Sequence, residues 1–373
     1  MIEETKPDPE RQKKAKALAQ TRRLFSLGDF VFGAAVLLAL SFSGYSVKFV
    51  LLLQIHPMAQ ASVYSVILMI GFTILSMPLT YFGGYKLTKR YGLTKQSLSG
   101  WLFDRLKSGA LGLVFGTVMV SIVYFLLNRF PELWWVLAWV ITILVSLLLS
   151  IIAPVLIVPI FFRTKPIEDG EVKARLERLA EKAGTKVRGV YAIEFGSKVT
   201  AANAALMGMG NTRRIVLSDT LLSAYTPDEI EVIMAHELGH HVHRDMFRLL
   251  IFQSAMLLIG FYIVSLVFHA GVTAFGFDRV GDPAAFPLLI IISGAFSLLA
   301  SPVISSFSRF VESQADGYAL TLSGNPAAFI SSMTKLTDQN LSVAQPGRWE
   351  EVLFWEHPSY VRRVEKARRY TNT

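Results

Sequence analysis

Six apolar stretches, each long enough to cross a lipid bilayer, limit what this 373-residue chain can fold into. A membrane-spanning helix needs about 20 mostly apolar residues. The stretches are 30–53, 62–85, 110–127, 134–162, 246–270 and 284–306. Composition agrees, because 52% of the residues are hydrophobic, 17% are charged and the mean hydropathy is +0.44. The sequence therefore predicts a mainly α, polytopic membrane protein with about six spans.

The basic residues indicate how the chain is oriented in the membrane. A net charge of +9 is typical of a nucleic-acid surface in a soluble protein, but here the Lys and Arg residues lie on alternate loops. They precede the first stretch (Lys6, Arg11, Lys13, Lys14, Lys16, Arg22, Arg23) and follow the second (Lys86, Lys89, Arg90, Lys95, Arg105, Lys107). The loop between those stretches, 54–61, has no charged side chain. We therefore expect a multi-pass protein with both termini cytoplasmic, embedded in the bilayer and without a nucleic-acid partner.

The apolar stretches divide the chain into five predicted regions. These are a cytoplasmic N-terminal tail (1–29), a transmembrane domain of four spans (30–162), a polar unit (163–245), a transmembrane hairpin (246–306) and a second polar part (307–373). Thr21-Arg22-Arg23 faintly resembles a twin-arginine signal, but no small-x-small cleavage site follows it, which favours a retained span. The chain has no cysteine, which excludes Cys-ligated metals.

The polar unit has the pattern of a small α+β domain. Apolar residues at helical spacing predict a helix over 171–183 that ends at Gly184. Short strands are predicted at 187–193, 202–207 and 214–218, with a hairpin turn across 208–212. Thr226-Pro227-Asp228-Glu229 is a capping box, and it begins a helix that leads into His236.

That helix carries the motif His236-Glu237-Leu238-Gly239-His240. Residues four apart lie on one helix face, so both imidazoles can bind one ion while Glu237 acts on a water molecule beside them. This spacing is typical of zinc metalloproteases and predicts one Zn²⁺ per chain with Glu237 as general base. Helix-borne His and acid pairs also bind ions in transit, so a metal transporter or an inactive scaffold stays an alternative.

A third metal ligand is predicted from the geometry of the last two spans. They form an antiparallel hairpin, and nearly equal numbers of residues separate its outer loop, near Phe277, from His240 and from Glu312. Both side chains should therefore lie at the same depth, just inside the cytoplasmic face. Asp316 follows one turn after Glu312 and is expected to orient a ligand imidazole through a hydrogen bond. His243 is expected at the rim rather than as a ligand, since three protein groups complete the site.

The chain resembles the type I CAAX prenyl endopeptidase family of membrane zinc metalloproteases. The motifs that carry the resemblance are Trp134-Trp135 through Trp139, Pro166–Glu171, Gly196-Ser197-Lys198, Asn203-Ala204, Arg214–Leu222, the His236 motif, Glu312–Asp316, His357-Pro358-Ser359 and Arg363. The resemblance implies that Glu312 is the third ligand, that Asn203 and Ala204 belong to an edge strand holding the substrate backbone, and that His357 and Arg363 stabilise the oxyanion. It also implies a cytoplasmic, zincin-type domain that cleaves peptide or protein substrates, prenylated or membrane-embedded.

Two departures from that family are visible. Its eukaryotic members have seven spans, whereas this sequence shows six. The resemblance therefore allows a seventh span. His241-Val242-His243-Arg244-Asp245 is closer to the HtpX-type membrane proteases. A protease that removes damaged membrane proteins is therefore the alternative enzyme.

Overall fold

A computed structural model describes residues 6–208 and 213–371, so most of the predicted hairpin turn lies outside the described residues. The α-helices are α1 (Pro9–Phe42), α2 (Tyr45–Leu52), α3 (Pro57–Thr80), α4 (Leu87–Arg90), α5 (Leu98–Arg129), α6 (Trp134–Ile152), α7 (Val158–Phe161), α8 (Glu171–Lys182), α9 (Asp219–Ala224), α10 (Pro227–Val242), α11 (Asp245–Ala274), α12 (Phe286–Ser323), α13 (Pro326–Gln339), α14 (Arg348–Phe354) and α15 (Tyr360–Thr371). The strands are β1 (Thr164–Pro166), β2 (Val190–Ile193), β3 (Ala204–Met207) and β4 (Arg214–Ser218).

Six helical segments among the described residues are long and apolar enough to cross a membrane, which confirms the predicted number. They are Pro9–Phe42, Ala59–Arg90, Leu98–Arg129, Trp134–Phe161, Asp245–Ala274 and Pro283–Ser323. Two of them contain a π-helical turn, Tyr81–Lys86 after α3 and Ala153–Ile157 after α6. The second turn contains Pro154, which cannot donate a hydrogen bond to the helical ladder.

The predicted bounds of the first span, 30–53, are wrong. The helix begins at Pro9, where the Asp8 carboxylate accepts hydrogen bonds from the backbone N–H groups of Glu10 and Arg11, and it ends at Phe42. Gly44 has a φ of 74°, a left-handed conformation that separates α1 from the short helix α2. Most of the predicted tail is therefore helical, and the apolar pattern runs across a helix break that hydropathy alone does not show.

The polar unit is built around a four-stranded sheet in the order β1-β2-β4-β3. β2 and β4 are parallel, whereas β1 and β3 pair antiparallel with their neighbours. The order leaves β3 at one edge of the sheet. The predicted helix over 171–183 is α8, and the three strands predicted from sequence are β2, β3 and β4; β1 was not predicted.

The two largest of three apolar cores in the described part of the chain hold the polar unit and the apolar helices together. One lies between the sheet and helices α8, α10, α13 and α15, and it includes Ile215, Met234 and Phe329. The other lies among the long apolar helices, around Tyr64, Trp134 and Phe268. The first core draws on residues both before and after the transmembrane hairpin, so the two polar parts of the sequence fold as one unit.

Candidate metal centre

Two helices that are distant in sequence bring three potential ligand residues together. The capping box predicted at Thr226 is formed and begins α10, which carries His236 and His240, while Glu312 lies on α12. The His236 Nε2 and His240 Nε2 atoms are 3.2 Å apart. The Glu312 carboxylate lies 3.3 Å from His236 Nε2 through one oxygen and 3.4 Å from His240 Nε2 through the other.

These three separations fit a tetrahedral metal ion. An ion bound at about 2.0–2.1 Å requires its ligand atoms to lie about 3.3 Å from one another. Two imidazole nitrogens and one carboxylate oxygen are also a donor set that metals of this kind accept. The residues present therefore fit a single metal ion, with one coordination position left for water or substrate.

Close contact between α10 and α12 sets these distances. Gly239 lies between the two histidines, and a Cβ built on it would be 3.2 Å from Ala315 Cα and 3.3 Å from both the Ala315 carbonyl oxygen and Tyr318 Cβ. The nearest atoms are mostly backbone, which cannot rotate away. The small residue at position 239 thus allows the helices to approach closely enough for His240 and Glu312 to meet.

A buried carboxylate orients His236 through Nδ1, the ring nitrogen on the side away from the other two ligand residues. His236 Nδ1 lies 2.9 Å from an Asp316 oxygen, and Asp316 is paired through both of its oxygens with the Arg363 guanidinium. Burial lowers the pKa of His236, but hydrogen bonds to Asp316 and Glu312 outweigh that effect and raise it to about 9. The carboxylates around this imidazole therefore favour positive charge at the site.

His240 has an equivalent partner that the sequence reasoning missed. Its Nδ1 lies 3.0 Å from an oxygen of Asp245, which is only 1% exposed. The other Asp245 oxygen accepts a hydrogen bond of 2.8 Å from Arg248, which also bonds to Gln314 at 2.6 Å. Asp245 reaches His240 because Arg244 adopts a left-handed conformation with a φ of 56°. In the sequence, the only signal is an acid five residues after His240, and helical spacing does not predict its contact because the helix ends between them.

Glu237 lies between two cavities that flank the three ligand residues. The first, about 560 Å³, is also lined by His236, Glu312, Asn203 and Ala204. The second, about 840 Å³, is also lined by His240, Leu206, Gly208 and His241. Burial raises the pKa of Glu237, which brings this carboxylate closer to the range in which it can both accept and return a proton near neutral pH.

The edge strand β3 and the residue before it line both of these cavities. Asn203 and Ala204 line one cavity and Leu206 lines the other, so β3 runs past the three ligand residues with its outer edge unpaired in the described sheet. An extended peptide added to this edge would pass beside Glu237.

The C-terminal region contributes His357 and Arg363. His357 Nδ1 lies 3.0 Å from a Glu312 oxygen, and its side chain is 63% exposed. Arg363 is mostly buried and lines the first cavity while its guanidinium binds Asp316. The structure thus brings both residues to the site, whereas their predicted part in catalysis stays a prediction.

His243, three residues after the motif, lies outside the group of ligand residues. The His243 ring packs edge-on against Tyr318, with ring centroids 5.5 Å apart, and its Nδ1 has no hydrogen-bond partner among the described residues. His236, His240 and Glu312 form the one group of three or more metal-ligating side chains found in the described part of the chain.

Comparison with known proteins gives matches along nearly the whole chain. The model of peptidase family M48 matches residues 166–371, and the model described as CAAX prenyl protease N-terminal, five membrane helices, matches residues 4–163. The chain is 28% identical over 304 residues to the uncharacterized metalloprotease YhfN of Bacillus subtilis, covering 80% of this chain and 71% of that protein. It is 28% identical over 313 residues to CAAX prenyl protease 1 of Saccharomyces cerevisiae, covering 78% and 68%.

A solved structure has the same fold. The crystal structure of S. mikatae Ste24p matches with a TM-score of 0.86 at 23% sequence identity, covering 98% of this chain and 92% of that one. Because the match extends over both the apolar helices and the polar unit, the arrangement of the whole chain is shared.

The helix contact at Gly239 can be tested by Gly239→Ala. The added methyl group must push α10 and α12 apart by a few tenths of an ångström, so we expect metal affinity and peptide cleavage to fall about tenfold. Gly28→Ala is the matched control, since nothing beyond the local helix backbone lies within 4 Å of the Cβ position at this helical glycine. Unchanged metal content and cleavage in Gly239→Ala would show that the contact does not set the ligand geometry.

Asp245→Asn tests the partner of His240. Because an amide orients an imidazole less strongly than a carboxylate, metal affinity is expected to fall about 10- to 100-fold. The measurement is metal retention against a competing chelator. Asp228→Asn, an exposed substitution at the start of the same helix, should retain metal like the unmodified protein. Equal retention by both variants would contradict an orienting role for Asp245.

Proposed function

Since the chain belongs to peptidase family M48 and is a membrane metalloprotease of the CAAX prenyl protease type, we propose that it is a zinc-dependent endopeptidase. It would cut peptide bonds near the cytoplasmic face of the membrane. The observation that carries this proposal is the tetrahedral spacing of His236, His240 and Glu312 directly beside Glu237.

Zinc is the metal that suits this donor set best. It accepts nitrogen and oxygen ligands in tetrahedral geometry, and catalytic zinc sites keep one of four positions open. When bound here, zinc would supply Lewis acidity, which makes water a nucleophile near neutral pH and polarises a carbonyl group.

The protein side chains would supply the proton transfers and the charge stabilisation. We propose that Glu237 accepts a proton from the attacking water and returns it to the leaving amine, a role that its burial and raised pKa support. His357 and Arg363, which line the same cavity, are proposed to stabilise the negative charge on the scissile carbonyl oxygen. Asp316 and Asp245 hold the two imidazoles in position.

The substrate is proposed to be an extended peptide that carries a lipid group or a hydrophobic tail. Three observations support this: the open edge of β3 beside Glu237, the continuity of α12 from the apolar helices to Glu312, and similarity to proteins named CAAX prenyl proteases. Edge-strand pairing fixes the peptide backbone without reading its side chains, so the lipid group would supply much of the selectivity.

Glu237→Gln tests the catalytic proposal. The variant should retain zinc, because the ligands are intact, and lose about 10²- to 10⁴-fold in cleavage rate, because no group accepts the proton from water. The assay compares a farnesylated C-terminal peptide with the same peptide unmodified, and it measures zinc content in parallel. Glu312→Ala should lose zinc and activity together, whereas Glu231→Gln, in the same helix, should change neither.

The outcomes separate the alternatives. Undiminished cleavage by zinc-loaded Glu237→Gln would contradict the mechanism. Cleavage of denatured membrane proteins by an active enzyme that leaves the farnesylated peptide intact would contradict the substrate and favour a quality-control protease.

We also propose that the metal centre lies on the cytoplasmic side, which the alternating Lys and Arg residues support. Because the chain has no cysteine, single introduced cysteines report topology cleanly. In intact cells, a membrane-impermeant maleimide should label Asp278→Cys, in the loop between α11 and α12, and should not label Thr321→Cys. Both positions are exposed in the structure. The reverse labelling would contradict the orientation.

A further inference from the structure

A strongly basic cavity lies beside the metal centre and shares Asp316 and Arg363 with it. Its volume is about 680 Å³, and it lies between α12, α14 and α15. Five cations line it: Arg309, Arg362, Arg363, Lys366 and Arg369. Three acids line it as well, Asp316, Glu351 and Glu365. We call this site the basic pocket; its cations outnumber its acids.

Two of the acids are already engaged. Asp316 binds Arg363 and His236, and Glu351 accepts a hydrogen bond of 3.1 Å from Arg362 Nε. Neither Lys366 nor Arg369 forms a salt bridge with an acid in the described part of the protein. Lys366 instead donates to the backbone carbonyl and the hydroxyl oxygen of Ser313. The pocket therefore retains uncompensated positive charge.

Arg309 adds a positive charge whose hydrogen bonds go to neutral groups. Its guanidinium donates to the carbonyl oxygens of Glu351, Val352 and Trp355, at 2.9, 3.3 and 2.5 Å. These bonds fix α14 against α12 but carry no full negative charge. An anion entering the pocket would thus meet a cation that is already held in place, without the entropy cost of ordering a flexible side chain.

The pocket lies just beyond the end of the apolar stretch of α12, where lipid headgroups would stand. The apolar stretch of α12 ends near Ser306, and about 20 helical residues, or about 30 Å, separate that point from the start of the helix. Ser306, Phe310 and Ser313 line the pocket just beyond this end. Phe310 is 52% exposed, and Trp349, on the same helix as Glu351, is 76% exposed. Exposed aromatic rings are typical of the membrane interface.

We propose that the basic pocket binds the phosphate group of an anionic phospholipid. Basic pockets at the ends of membrane helices recognise such headgroups, because charge attraction adds to the position of the lipid in the bilayer. Val303 is exposed on the apolar stretch of α12, at the level where the acyl chains would begin, and Phe310 is exposed about two turns further along, at the pocket. The ligand is a lipid rather than a soluble anion because this apolar border is continuous with the cationic lining.

The test measures lipid preference independently of protease activity. The full-length protein, purified in a neutral detergent, is titrated with phosphatidylglycerol or phosphatidylcholine, and thermal unfolding or native mass spectrometry gives the apparent affinity. We expect at least a fivefold preference for phosphatidylglycerol. Lys366→Gln with Arg369→Gln should weaken binding about fivefold for each cation removed.

Matched variants separate pocket binding from general charge effects. Arg178→Gln with Lys186→Gln removes the same charge from exposed positions on the polar unit and should leave the preference intact. Arg369→Glu alone, an exposed substitution, should also weaken binding, which keeps the test valid if the loss of Lys366 disturbs α15.

Three outcomes would overturn the proposal. One is an equal affinity of the unmodified protein for both lipids, and another is an equal loss in the Arg178 and Lys186 control. The third is the same thermal shift with inorganic phosphate at matched concentration, which would indicate a soluble-anion site.

Discussion

The close packing of α10 against α12 at Gly239 is the constraint on which the functional part of this protein depends. It joins a helix that precedes the transmembrane hairpin to one that leaves it, and it places His240 within 3.4 Å of Glu312. The same contact draws the sheet and the C-terminal helices into one apolar core. Metal binding would therefore stabilise the fold as well as provide chemistry, because the ligands come from two segments that only tertiary structure brings together.

Each ligand histidine ends a short chain of alternating charge. His236 is followed by Asp316 and Arg363, and His240 by Asp245 and Arg248. Burying a charged aspartate costs free energy unless the carboxylate is paired and hydrogen-bonded, and each arginine offsets this cost for its aspartate. Each aspartate then fixes the orientation of an imidazole. The pairing of Arg363 with Asp316 shows that this residue has a structural task besides the catalytic one proposed for it.

Much of this arrangement could be predicted from sequence because it follows from regular spacing. The period of a helix puts His236 and His240 on one face, and an antiparallel hairpin of two straight spans carries Glu312 to their depth. Asp245 could not be found in this way, because its approach to His240 depends on the left-handed backbone at Arg244. The first span was misplaced for a similar reason, since the break at Gly44 is a local conformation within an apolar pattern. β1 has three exposed residues and no alternating pattern, so it carries no signal of its own.

The unbroken course of α12 has a further consequence. This one helix, Phe286–Ser323, belongs both to the apolar bundle and to the metal centre. Glu312 lies six residues beyond Ser306, which corresponds to about 9 Å along a helix axis. A continuous helix of this kind would hold the metal centre at a nearly constant height above the hydrocarbon layer. A substrate anchored in that layer, of the kind proposed above, would then be selected by the distance between its scissile bond and its anchor, whatever side chains lie between.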